Sequence, residues 1–170
     1  MKLTELILAD LERETPLTRK TLERVPDGRT DWKPHEKSMA MGYLCTLVAT
    51  MPGWIDMMVN QDQLDVAPKN PGSAYKPPEL RTSGELVQAF DGATAKARAA
   101  LKGTTDEHLM TTWKLLAGGR VVQEQPRHVA IREGVFLHLA HHRGQLTVYL
   151  RLTGAAVPSI YGPSADERPF

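Results

Sequence analysis

The chain has 170 residues, with 21 Lys+Arg against 20 Asp+Glu and a formal net charge of +1, which suits one domain spanning residues 1–170. At 41% hydrophobic and 24% charged it is too apolar to be disordered, and the balanced charge excludes the basic excess of a dedicated nucleic-acid binder. The single cysteine, Cys45, excludes an intramolecular disulfide and a cysteine-based zinc cluster.

In the N-terminal run MKLTELILADLERE, acidic residues interrupt a short apolar stretch at once, so it reads as an amphipathic helix rather than a signal peptide. No stretch approaches the roughly 18 apolar residues of a membrane span. A soluble cytoplasmic protein that meets neither membrane nor nucleic acid is the expectation.

Proline breaks helices, so proline-poor spans mark them. The first helical segment runs from about Leu3 to Val25, with Leu3, Ile7 and Leu11 on one face and Pro16 placed to bend or interrupt it. A turn-rich stretch, 26–37, follows. The second segment runs from about Ser38, a plausible N-cap, to Asn60; Leu44, Leu47, Val48, Met51, Ile55 and Met58 form its stripe, and Pro52-Gly53 predicts a kink. Residues 61–82 read as a long loop holding four prolines, a length that usually signals function or mobility. Thr82-x-x-Glu85 matches a capping box and opens a third segment that stops at Gly103. Gly118-Gly119 between two apolar runs predicts a hairpin or extended excursion near 111–125. The fourth helix is expected from Arg127, after Pro126, to about Leu152, with Gly154 as C-cap, and 154–170 as an irregular tail. Four apolar stripes can be buried only against one another. The expected class is therefore all-α, a four-helix bundle, and the loops at 61–82 and 104–126 are long enough for crossover connections.

Of six histidines, His35, His108, His128, His138, His141 and His142, three fall within five residues. His128, Ile131, Val135, His138, His142, Gln145 and Tyr149 make one stripe of the last helix, and the apolar members identify it as an inward face. His138 and His142, at i and i+4, can place two imidazole nitrogens on one divalent cation at ~2.0–2.1 Å; without a metal they would hydrogen-bond to carbonyls or water. His141 lies about 60° around the helix from His138, as a supporting or alternative ligand. A third ligand should come from another helix. The second helix has no histidine: Leu47 and Met51 stand on its inner stripe, Asp56 is its only carboxylate, and Thr46, Thr50 and Cys45 are weaker donors. His128 and Glu133 lie far along the helix from the pair, while His35 and His108 sit in loops that could fold over the bundle end.

The run His138-Leu-Ala-His141-His142-Arg143-Gly144-Gln145-Leu146, with Tyr149-Leu-Arg151, Val157-Pro158 and Tyr161-Gly162-Pro163 after it, resembles the DinB-like family. Asp31-Trp32-Lys33-Pro34, Lys37-Ser38-Met39 and Met51-Pro52-Gly53-Trp54 extend the resemblance over residues 31–163. It implies a four-helix bundle of crossover topology, a homodimer, and a divalent metal, nickel or zinc, held by three histidines. Two of these match His138 and His142. The third is expected on the second helix, and alignment on Met51-Pro52-Gly53-Trp54 puts it at Leu47, which cannot ligate a metal. The better-understood relatives are metal-dependent transferases or isomerases that use low-molecular-weight thiols. Two functions follow from the resemblance: a divalent-metal-dependent enzyme acting on a small-molecule substrate, or a metal-free binding or stress-related protein with a degenerate site.

Arg143 is expected to pair with a carboxylate such as Asp31 and pin a loop to the helix, or to contact an anionic substrate. Trp32, Trp54 and Trp113 lie at element ends, where they plug a bundle or line a pocket mouth. Met39, Met41, Met51, Met57 and Met58 read as adaptable core filling, and Cys45 as a small core residue. Asp62-x-x-Asp65 lacks the glycine and spacing of a calcium loop.

Overall fold

The structure is a computed structural model that describes residues 2–70, 72 and 76–168. Residues 71 and 73–75 of the long loop and 169–170 of the tail lie outside the described residues. Helix α1, Leu3–Leu22, runs through Pro16 without a break. The proline forfeits one backbone hydrogen bond, and burial of Ile7, Leu11 and Leu22 outweighs that loss. The Asp106 carboxylate caps the start of α1, accepting from the Leu3 and Thr4 N–H groups at 2.9 Å each.

The second segment is α2, Met41–Thr50, a 3₁₀ turn, Met51–Gly53, and α3, Trp54–Asn60. The break falls at Pro52-Gly53, while the N-cap is Ala40 rather than Ser38. Helix α4, Ser83–Gly103, opens with the expected box: Thr82 Oγ1 accepts from Glu85 N at 3.2 Å and the Glu85 carboxylate accepts from Thr82 N at 2.9 Å. It runs antiparallel to α1, joined by Arg98–Glu12 and Arg19–Asp91 ion pairs.

The all-α expectation fails here. Beside the helices stands a three-stranded mixed sheet of order β1-β2-β3, formed by Gln63–Asp65, Thr112–Ala117 and Arg120–Pro126. Strand β1 pairs parallel with β2, and β2 antiparallel with β3. The stretch near 111–125 is a hairpin that turns at Gly118 and Gly119, both with positive φ, 63° and 79°, as a tight hairpin turn requires. The Asp65 carboxylate accepts from both glycine N–H groups, at 3.0 and 2.7 Å, and so docks β1 against the turn. Alternation supplies the driving force: Trp113 and Leu115 point to one face, which the helices cover, and Lys114 and Glu124 pair at 3.6 Å on the other.

A short helix α5, Asp106–Met110, precedes the sheet. The fourth segment is not one regular helix either. It divides into α6, Arg127–Ile131, a π-helical turn, Arg132–Leu137, and α7, His138–Leu152. Gly154, at φ 79°, ends α7, and Ala155 N returns to Leu150 O at 2.9 Å. The core gathers Leu44, Val48 and Ile55 from α2 and α3, Phe90 and Ala97 from α4, and Ile131, Leu146 and Leu150 from the last segment. No helix among the described residues is long and apolar enough to cross a membrane.

Candidate functional site

His138 opens α7, immediately after the π-helical turn, and His142 follows one turn later. Such turns, with i→i+5 bonding, insert an extra residue into a helix and recur at functional sites. The His138 and His142 Nε2 atoms approach to 2.8 Å, and His142 Nδ1 lies 2.8 Å from Gln145 Oε1. An amide oxygen only accepts, so His142 Nδ1 carries the proton and donates to Gln145. His142 Nε2 is then a lone pair that accepts from His138 Nε2–H, leaving His138 Nδ1 unprotonated. His142 is 8% exposed. Burial pushes its imidazole below the ordinary value of 6.5; the Gln145 bond pulls the other way, and neighbouring His138 and His141 add to the lowering. His141 is exposed, its ring edge-on to His142 at 4.9 Å between centroids.

The other histidines do not converge on this pair. His128 Nδ1 is 3.2 Å from Leu109 O, His108 Nε2 is 2.8 Å from Val59 O, and His35 Nδ1 accepts from Lys37 N at 3.2 Å. Leu47 is half-buried on α2, a helix that packs against α7. Among the described residues no three His, Cys, Asp or Glu side chains group closely enough to hold a metal ion. The pair itself is set at hydrogen-bond distance: two zinc–nitrogen bonds of ~2.05 Å at a tetrahedral angle hold their nitrogens roughly 3.3 Å apart, against 2.8 Å here. The donor set therefore does not fit a three-histidine centre.

His138 also lines a cavity of about 850 Å³ between α3, α4 and the sheet, within the range of small-molecule sites. Trp54, whose ring centroid is 5.9 Å from that of His138, Met57 and Met58 form the α3 wall. Gly92 and Ala93 keep the α4 wall low. Leu64, Trp113, Leu115, Gln123 and Gln125 share one sheet face and form the opposite wall. Gly134, in the π-helical turn, completes the end near Met58: a Cβ there would stand 3.0 Å from Met58 Cε. Trp54 and Trp113 thus line the cavity, while Trp32 packs edge-on against Tyr149 at 5.5 Å.

Two arginines lock the frame. Arg143, 1% exposed, pairs with Glu14 at 2.6 Å rather than with Asp31, and also donates to Thr18 Oγ1 and Tyr161 Oη. It ties α7 to α1 and to the tail. Sequence reasoning passed over Arg127, which is 2% exposed; it donates to the Met58 and Gln61 carbonyls and to Asp62 at 2.5 Å, fixing the end of α3 beneath the cavity. Its position directly after Pro126, at a strand-to-helix junction, was the available signal. Asp62 and Asp65 are engaged in these structural bonds. Burial raises the Cys45 thiol to about 12, in keeping with a core residue.

A model of the DinB family matches residues 1–168, and the chain belongs to that family. Its fold is similar to that of a DinB-like protein from Bacillus cereus ATCC 10987, at TM-score 0.71 and 21% identity over 92% of this chain and 97% of that one. A DinB-like protein from Bacillus subtilis is similar at TM-score 0.68 and 18% identity, over 91% and 97% of the two chains. A 30-residue stretch is 57% identical to the uncharacterized protein YrdA of Bacillus subtilis (strain 168), spanning 18% of each chain.

Proposed function

We propose that the chain is a DinB-family enzyme acting on a small molecule by proton transfer, with His138 and His142 serving as a coupled imidazole pair in place of a three-histidine metal centre. The observation that carries this reading is the 2.8 Å contact between the two Nε2 atoms, with His142 held by Gln145. Proton transfer asks for an imidazole whose basic nitrogen is free and whose conjugate acid is stabilised. His138 Nδ1 meets the first condition, since the pair leaves it unprotonated. His142 meets the second, because its Nε2 lone pair stays hydrogen-bonded to His138 when that ring gains a proton. Gln145 fixes the His142 tautomer on which this depends. The reacting group of the substrate would lie at the His138 end of the cavity, against Trp54.

A second reading has one observation in its favour: both Nε2 atoms turn toward one point, so opening the pair by roughly 0.5 Å makes a two-nitrogen seat for nickel or zinc. Substrate or water would complete the coordination, and a metal so held would act as a Lewis acid on a bound thiol or water. Metal content separates the two. Protein purified without a histidine tag is expected to contain far less than one metal per chain and to take up little on addition of nickel or zinc. Near-stoichiometric metal that disappears in both His138→Ala and His142→Ala would overturn the first reading and establish the second.

A further inference from the structure

We propose that the cavity takes an uncharged, flat apolar molecule bearing a carboxamide-type group, with its apolar body on the Trp113–Leu115 face and its polar group on Gln123 and Gln125. This names a substrate class for the site above and rests on that reading only in placing the reacting end at His138.

The sheet register carries the argument. Leu115 stands opposite Gln123, and Trp113 opposite Gln125. All four residues line the cavity, so an apolar floor on β2 is bordered along its length by two amides on β3. Each amide offers a donor and an acceptor together, which matches a ligand carrying both an N–H and a C=O, as an amide, urea or lactam does. Neither glutamine side chain bonds to any described residue; Gln125 is half-buried beside Trp113, and Gln123 is exposed beside Leu115. Both amides are thus free to exchange water for a ligand's polar group.

The few charges on the lining are of both signs and give no dominant field for an ionic ligand. The lining includes Asp56, Asp65 and Lys96. Asp56 accepts from Asn60 at 2.8 Å, and Asp65 from three backbone N–H groups. Both carboxylates are thus hydrogen-bonded within the protein, and Lys96 is exposed at the rim. On the helical side, Trp54 and Met57 offer a polarizable apolar surface that accepts aromatic rings.

The test uses the neutral dye N-phenyl-1-naphthylamine, displaced by benzanilide or by trans-stilbene, which has a similar shape without the amide. One dye is expected per chain, bound about tenfold more weakly by Ala93→Phe, which fills the cavity from α4. Leu115→Lys, which charges the sheet wall, should do the same if Ala93→Phe fails to fold. Benzanilide is expected to displace the dye at roughly tenfold lower concentration than stilbene, and Gln123→Leu with Gln125→Leu should abolish that advantage. Dye binding that survives in a folded cavity variant, or equal displacement by the two compounds, would overturn the proposal. In the His138→Ala/His142→Ala protein the benzanilide preference is expected to persist; its loss there would contradict the assignment to the glutamines. Metal content is not read in this experiment, so failure of the imidazole-pair reading leaves its outcome intact.

Discussion

At the scale of single residues, Gln145 and Glu14 each do work that their own positions do not advertise. Gln145 sits one turn beyond His142 and holds its Nδ1–H. Gln145→Leu is therefore expected to release the fixed tautomer, seen by ¹⁵N NMR of the imidazoles as a mixture at His142. The same substitution removes the hydrogen bond that holds the His142 pKa up, so that pKa should fall further. The depressed value has a definite consequence for stability. An imidazole whose folded pKa lies below its unfolded value of 6.5 favours the folded state above that value, and the contribution is lost as pH falls through the folded pKa. Denaturant melts from pH 8 to pH 5 should show wild type losing more stability than His142→Gln; equal losses would contradict this account. Glu14 neutralises Arg143 in a site where the arginine is 1% exposed and the carboxylate 14%. Glu14→Leu strands a buried charge and is expected to cost about 3–5 kcal/mol in unfolding free energy. Tyr161→Phe, which removes one hydroxyl from the same cluster, should cost about 1 kcal/mol.

At the scale of elements, the π-helical turn and the hairpin build the cavity. Gly134 leaves room for Met58 within that turn. Gly134→Ala should push the flexible Met58 tip into the cavity, lowering stability only slightly while weakening dye binding severalfold. The capping box at Thr82 is separable from the site: Thr82→Ala should cost about 1 kcal/mol and leave dye binding unchanged. The helical spans were legible because stripes, caps and prolines are local signals: Thr82 and Glu85, Pro52-Gly53 and Gly154 all mark boundaries that the structure keeps. Strand β1 was not legible. Its three residues, Gln63–Asp65, carry no pattern of their own and become a strand only because Asp65 grips the Gly118-Gly119 turn and β2 offers its edge. The all-α expectation failed at that point, since a hairpin read alone becomes a sheet wall once a distant loop residue pairs with it.

At the scale of the whole molecule, the frame positions His138 at the wall of the cavity, with His142 bonded to it. Arg143 ties α7 to α1, and Arg127 ties the end of α3 to the start of α6. The pair itself was legible, because an i, i+4 spacing on an inward stripe brings two imidazoles together whatever the rest of the chain does. The cavity was not, because its sheet wall comes from residues 64, 113–115 and 123–125, which only tertiary pairing aligns. The resemblance drawn from Met51-Pro52-Gly53-Trp54 expects a third ligand at Leu47, and leucine cannot supply one. The most direct test is a zinc titration of wild type beside Leu47→His, followed by calorimetry at neutral pH. Wild type is expected to bind zinc weakly or not at all, and Leu47→His to gain one site per chain that disappears when His138 or His142 is also replaced. Tight, stoichiometric zinc binding by the wild-type chain, lost in His138→Ala, would contradict the account.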